Sequence, residues 1–180
     1  MPTKPRIPRE RILEEAFGLV REKGADALTA RNLAGRIGCS TQPILYHFAD
    51  MKELEQAVYQ RADAFHTGYI LNIGPEEHPL LQIGMNYIRF AAEEPQLFRF
   101  LFQTDHFAGR SLEQLVSAPA AAPLIEQFAL DGDKERAGHR LLMLFVWVHG
   151  YACLSAGNKL AADPDELKAL LTELFLKLEG

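Results

Sequence analysis

The chain has 180 residues, 48% of them apolar and 24% charged, which is enough apolar side chain for a real core and excludes a disordered chain. Only two cysteines occur, Cys39 and Cys153, and no C-x-x-C pair, which argues against a disulfide framework or zinc ribbon and fits a reducing cytoplasm. The net charge of −5 speaks against nucleic acid, yet it is unevenly spread: residues 1–52 hold nine Lys/Arg against six acids (+3), and the remainder is −8.

That asymmetry fits a basic reader on an acidic body; solvated surface charge explains it nearly as well. The longest apolar run, Leu141 to Val148, is far shorter than the roughly 20 residues of a membrane span, and no apolar stretch follows the basic N-terminus. A soluble, cytoplasmic protein is expected.

In chain order, Ile12, Leu13, Ala16, Phe17 and Val20 recur at helical spacing, with Pro8 at the start and Gly24 just past the end. Thr29 is placed to cap a second, two-turn helix whose inward residues are Leu33, Ala34 and Ile37 and which ends at Gly38. Ser40 is expected to cap a third short helix with Pro43 in its first turn, its hydroxyl bonding the Gln42 N–H. Asp50 and Glu53 form a capping-box pattern that opens a long fourth helix through Leu54, Val58, Phe65 and Tyr69, which ends at "NIGPEEHP".

Beyond Pro79 the pattern stays helical, with Leu80, Gly84, Tyr87, Ile88 and Ala91 on one face and a break at Pro95, followed by the short helix "PQLFRFLF". Pro119 and Pro123 divide or bend the stretch from Ser111 to Leu130. "DGD" at 131–133 is a turn and cap before a helix to about Ser155 that is apolar on more than one face. A last helix starts at Asp163-Pro164 and carries Leu167, Leu170, Leu171, Leu174, Phe175 and Leu178 as one stripe. No segment alternates with period two, so the fold class is all-α, about nine helices. The expected domains are 1–54, a helix-turn-helix DNA-binding module, and 55–180, a helical ligand-binding and dimerisation body.

Helices two and three, joined at Gly38, have the layout of a helix-turn-helix: Ala34 is small where the helices cross, Gly38 can take positive φ, and Leu33, Ile37, Cys39 and Ile44 supply apolar contact. Any tight helical hairpin meets the same demands. Context decides: "LTARNLAGRIGCSTQPILYHFADMKEL", preceded by "RERILEEAFGLVREKGADA", resembles the N-terminal domain of TetR-family transcriptional regulators over about the first 60 residues. "PQLFRFLF" and "WVHG" (Trp147 to Gly150) resemble the ligand-binding half of a branch with a Trp-x-His-Gly signature. The resemblance implies a homodimeric, all-helical regulator, a repressor that leaves its operator on binding a small molecule; a two-fold dimer would match a near-palindromic site, and no cofactor, metal or catalytic residue is expected.

The resemblance places Thr41, Gln42 and Pro43, after Ser40, at the N-terminal edge of the recognition helix, where side chains reach base edges in the major groove. Gln42 is the expected base reader, since its amide can pair with adenine at two points. Thr41 would bond a base or phosphate, and Pro43 would touch a thymine methyl. Thr29, Arg31, Tyr46, His47 and Lys52 are expected at phosphates. For Tyr46 and His47 the other reading is packing on helix one or four. Two positions depart from the family pattern: Leu45 stands where an aromatic is frequent, and Met51 where a lysine is.

In the body, Phe90, Phe98, Phe102, Phe107, Met143, Trp147 and Tyr151 form an aromatic-rich inventory, with Gln103 and His149 among the polar groups. Read blandly they are ordinary core, and His149 a satisfied core histidine. Read as a site, they line a pocket for an apolar or aromatic effector, with a few polar groups to orient it. Trp147 and His149 lie on different sides of their helix, and the sequence leaves open which faces the pocket. The last two helices would pair with their copies across a two-fold axis. No H-E-x-x-H, phosphate-binding glycine loop or nucleophile elbow is present, so an enzyme is not expected. The remaining alternative is a helical protein-interaction module.

Overall fold

The structure is a computed structural model and describes residues 7–74, 78–107, 109, 111, 114, 126, 132–158, 160 and 163–179. Its described residues form eight α-helices: α1 Arg9–Lys23, α2 Ala30–Ile37, α3 Gln42–His47, α4 Met51–Ile70, α5 Pro79–Glu93, α6 Pro95–Phe102, α7 Lys134–Asn158 and α8 Pro164–Glu179. Single 3₁₀ turns at Ala25–Ala27 and Asp105–Phe107 complete them, with no strand among the described residues. The expected Pro119 and Pro123 bends lie outside the described residues.

Local chemistry sets most of the helix ends. Gly24 closes α1 at φ +84° and Gly38 closes α2 in the left-handed region at φ +77°, a conformation that costs a residue with a Cβ about 1–2 kcal/mol. Thr29 caps α2 by accepting the Asn32 N–H at 3.1 Å. Asp50 accepts the Glu53 N–H at 2.9 Å while Glu53 reaches back to the Ala49 N–H at 2.7 Å, one residue earlier than in a standard capping box. Asp133 and Asp163 cap α7 and α8 in the same way.

One expected cap is corrected. The residue before α3 is Thr41, not Ser40, and no side chain caps that helix. Thr41 already sits at helical angles (φ −72°, ψ −14°), whereas a capping side chain needs an extended backbone to fold over the first turn. Pro43 in that turn also lacks an N–H, so there is one donor fewer to satisfy.

The chain divides into two compact units, Met1–Thr67 with Glu94–Thr104, and Gly68–Glu93 with Asp105–Gly180. Helix α4 runs through residue 54 without interruption, and α6 belongs with the first unit because it packs on α1.

In the first unit Ile12, Ala16, Phe17 and Val20 of α1, Leu33 and Ala34 of α2, Ile44 of α3, Leu54, Val58 and Ala62 of α4 and Leu97, Phe98 and Leu101 of α6 are buried. Phe17 meets Phe65 edge-on at 5.7 Å, and Arg21 is paired with Glu94. In the second unit α5 packs on α7 and α8, with Gly84 facing Leu171 and Val148 where the three helices converge. The buried Asn86 amide donates to the carbonyls of Ile70 (3.2 Å) and Asn72 (3.0 Å), satisfying backbone groups at the end of α4.

Helix α7 is long and apolar enough, by length and composition alone, to cross a bilayer. Its Leu141, Leu144, Val148 and Ala152 are buried inside the second unit, which gives one apolar face a core role.

Candidate nucleic-acid interface

Helix α3 has two unlike sides. Ile44 is fully buried and Phe48, just beyond the helix, is 1% exposed, so these two hold it to the unit's core. Leu45 and Tyr46 are 54% and 67% exposed, and Gln42 is exposed with them. A side chain such as Tyr46 left in water forgoes roughly 2 kcal/mol of burial free energy, so this outward face is not explained by folding. Arg9 lies over the Phe48 ring at 4.6 Å and covers that anchor from the α1 side.

Helix α2 is braced behind it. Arg36 bonds Glu15 of α1 at 2.9 Å and Glu22 at 2.7 Å, two carboxylates on one face of α1, and these bonds raise the arginine pKa while Glu22 is lowered by the same contact. Between the two acids stands Gly18, whose missing side chain leaves room for the guanidinium. The Asn32 side chain donates to the Ala27 carbonyl at 3.0 Å, fixing the approach to α2.

Of the expected DNA-facing residues, Thr29, Arg31, Ser40, Thr41, Gln42, Tyr46 and Lys52 are exposed, and Pro43 and His47 are half-buried. Ser40, Gln42, Pro43, Tyr46 and His47 share one open groove of ≈ 710 Å³. The groove does not include Thr29, Arg31, Thr41 or Lys52. His47 bonds the Ile7 carbonyl through Nε2 at 2.9 Å, and its ring meets Tyr46 edge-on at 5.2 Å. Sequence reading missed Arg11 and Arg36. Arg11 lines the same groove, but nothing in its local sequence marks it. The spacing of Glu15, Gly18 and Glu22 puts two acids and a gap on one face of α1, but only the packing of α2 shows that Arg36 fills it.

Residues 12–58 match the family model for bacterial regulatory proteins of the tetR family, and residues 80–175 match that for a tetracyclin repressor-like C-terminal domain. The second match alone spans more than half of the chain. The chain belongs to the TetR family. No curated protein sequence matches it. As a TetR-family protein it is a DNA-binding transcriptional regulator with a helix-turn-helix, and α2 and α3 fall inside the residues that the N-terminal match covers.

The effector-facing residues expected of this TetR-family chain divide between the two units. Phe98, Phe102 and Gln103 are in the first unit, where Phe98 is fully buried and stacks obliquely on Phe102 at 5.1 Å. Phe90, Met143, Trp147, His149 and Tyr151 are in the second; Phe90 is fully buried and Met143 exposed. The Phe107 side chain lies outside the described residues. Trp147 stacks on Tyr151 at 5.8 Å. On another side of α7, His149 bonds the Tyr87 hydroxyl through Nδ1 at 2.9 Å, approaches Cys153 Sγ through Nε2 at 3.5 Å, and stacks on Phe145 at 5.4 Å. Burial pushes the His149 pKa down and the Tyr87 pKa well up, so both are neutral at pH 7.

Proposed function

We propose that this regulator binds a near-palindromic operator as a homodimer and represses transcription in the cytoplasm until a small apolar or aromatic effector releases it. The observation that carries the DNA reading is the exposure of Gln42, Leu45 and Tyr46 on a short helix whose opposite side is fully buried. In this reading the DNA-binding function belongs to residues 1–54, with Gln42 pairing a base, Thr41 and Pro43 beside it, and Ser40, Thr29, Arg31, Tyr46 and Lys52 near phosphates. Footprinting the duplex upstream of the protein's own gene, over a range of salt, tests it. A protected two-fold site whose affinity falls steeply with salt is expected. Binding that ignores salt would favour a protein partner docked on Leu45 and Tyr46 instead.

The dimer reading is supported by a second exposed stripe. Met143, Val146, Gly150 and Leu154 follow one another at helical spacing on α7, and Leu170 is exposed on α8. A second copy covering these residues would make a four-helix contact of α7 and α8 with their mates. For the effector, the supporting feature is the second unit's combination of aromatic rings with half-buried His149 and Tyr151. Release requires that the effector bind better to the form that binds DNA worse. Trp147 fluorescence titrated with candidate compounds, with and without operator duplex, should show mutual antagonism.

A further inference from the structure

We propose that Arg11 is a phosphate-binding residue of the DNA interface, and that His47 is a positioning residue which ties the lead into α1 to α3 and so sets where Arg11 stands. The inference deepens the DNA-binding reading and rests on it.

The bond between His47 Nε2 and the Ile7 carbonyl fixes a proton. A carbonyl only accepts, so Nε2 must carry the hydrogen and donate it. The side chain expected at a phosphate is therefore already used within the chain, on a residue 40 positions away.

What that bond holds is the entry to α1. Ile7 precedes Pro8, whose carbonyl accepts the Ile12 N–H at 3.2 Å and starts the helix. Arg11 follows in the first turn, one helical turn beyond Ile7. Ile7, Pro8 and Arg11 form one wall of the ≈ 710 Å³ groove that Gln42, Pro43 and Tyr46 border on the other.

Arg11 has the charge and the availability. Four arginines of the unit are committed: Arg21 to Glu94, Arg36 to Glu15 and Glu22, Arg61 to Glu14, and Arg9 over Phe48; Arg31 is exposed, as Arg11 is. Arg11 is exposed and forms no ion pair among the described residues. It sits on a helix flanking α3 rather than on α3, which suits backbone contact more than base reading. It also precedes residue 12, where the match to the family's N-terminal model begins.

The test uses the full-length protein and fluorescence anisotropy with two labelled duplexes, one of mixed sequence and one from upstream of its own gene, over a range of salt. Wild type must bind with a strong salt dependence; no binding to either duplex would end the DNA reading itself. Arg11→Ala should flatten the slope of log affinity against log salt by about 0.9 per bound subunit on both duplexes, and Arg11→Lys should keep it. His47→Ala should weaken binding about as much as Arg11→Ala, and His47→Gln, whose amide can donate from a similar place, should restore it. The double variant Arg11→Ala, His47→Ala should bind no worse than Arg11→Ala alone. A wild-type slope in the exposed-site Arg11→Ala variant overturns the phosphate role. Losses that add in the double variant overturn the positioning role of His47.

Discussion

The guanidinium of Arg36 lies against Gly18, so close that a methyl group added to Gly18 would stand 2.9 Å from Nη2. Two opposing effects meet there. Alanine stabilises a helix interior by about 1 kcal/mol over glycine, while displacing a half-exposed arginine from its carboxylates costs up to about 1 kcal/mol. Gly18→Ala should therefore change stability little in wild type. In an Arg36→Ala background, with the obstacle gone, it should stabilise by the full amount of about 1 kcal/mol. Urea unfolding of the four proteins measures the difference; equal gains in both backgrounds would mean that Gly18 is not kept for Arg36.

Gln42 is exposed at the first position of α3, at the rim of the groove. If it reads a base, Gln42→Ala should cost about 1–3 kcal/mol on the operator and almost nothing on mixed-sequence duplex. Competition binding with both duplexes separates this from a phosphate role, in which both would lose alike.

His66 sits inside the first unit at 6% exposure, its ring edge-on to Phe102 at 5.1 Å. Burial lowers its pKa from 6.5 to about 4. Between those values the unfolded chain binds a proton that the folded chain does not, so stability falls as pH drops from about 6.5 towards 4 and is unaffected above. The loss reaches about 3 kcal/mol at the acid end. His66→Leu should lack this component: its stability relative to wild type should be constant above pH 7 and should rise steadily below 6.5. Thermal unfolding of both proteins across that range is the measurement. A constant difference throughout would show that His66 titrates normally.

Nothing within 4 Å would meet a Cβ placed at Gly150, on the exposed stripe of α7 between Val146 and Leu154. Gly150→Leu should thus leave the subunit folded. If a second copy packs on the stripe, the same substitution should hold the copies apart. Sedimentation should find dimers in wild type and a shift to monomers in Gly150→Leu, more fully with Val146→Glu added, at unchanged helicity. Dimers that persist in both variants would move the interface elsewhere.

The all-helical class, the ends of most helices and the helix-turn-helix were legible in the sequence, because each rests on interactions within a few residues. Thr29, Gly38, Asp50 and Asp163 act on backbone groups one turn away, and apolar spacing repeats every turn. What needed the tertiary structure depends on residues far apart in the chain. The assignment of α6 to the first unit comes from its packing on α1, and the seat of Arg36 from a gap in another helix. Tyr46 and His47, neighbours with the same two readings in sequence, part company in space: one points to solvent, and the other is bonded to Ile7. Local pattern places a side chain on a face of its helix, but only the packing of the whole unit decides what that face meets.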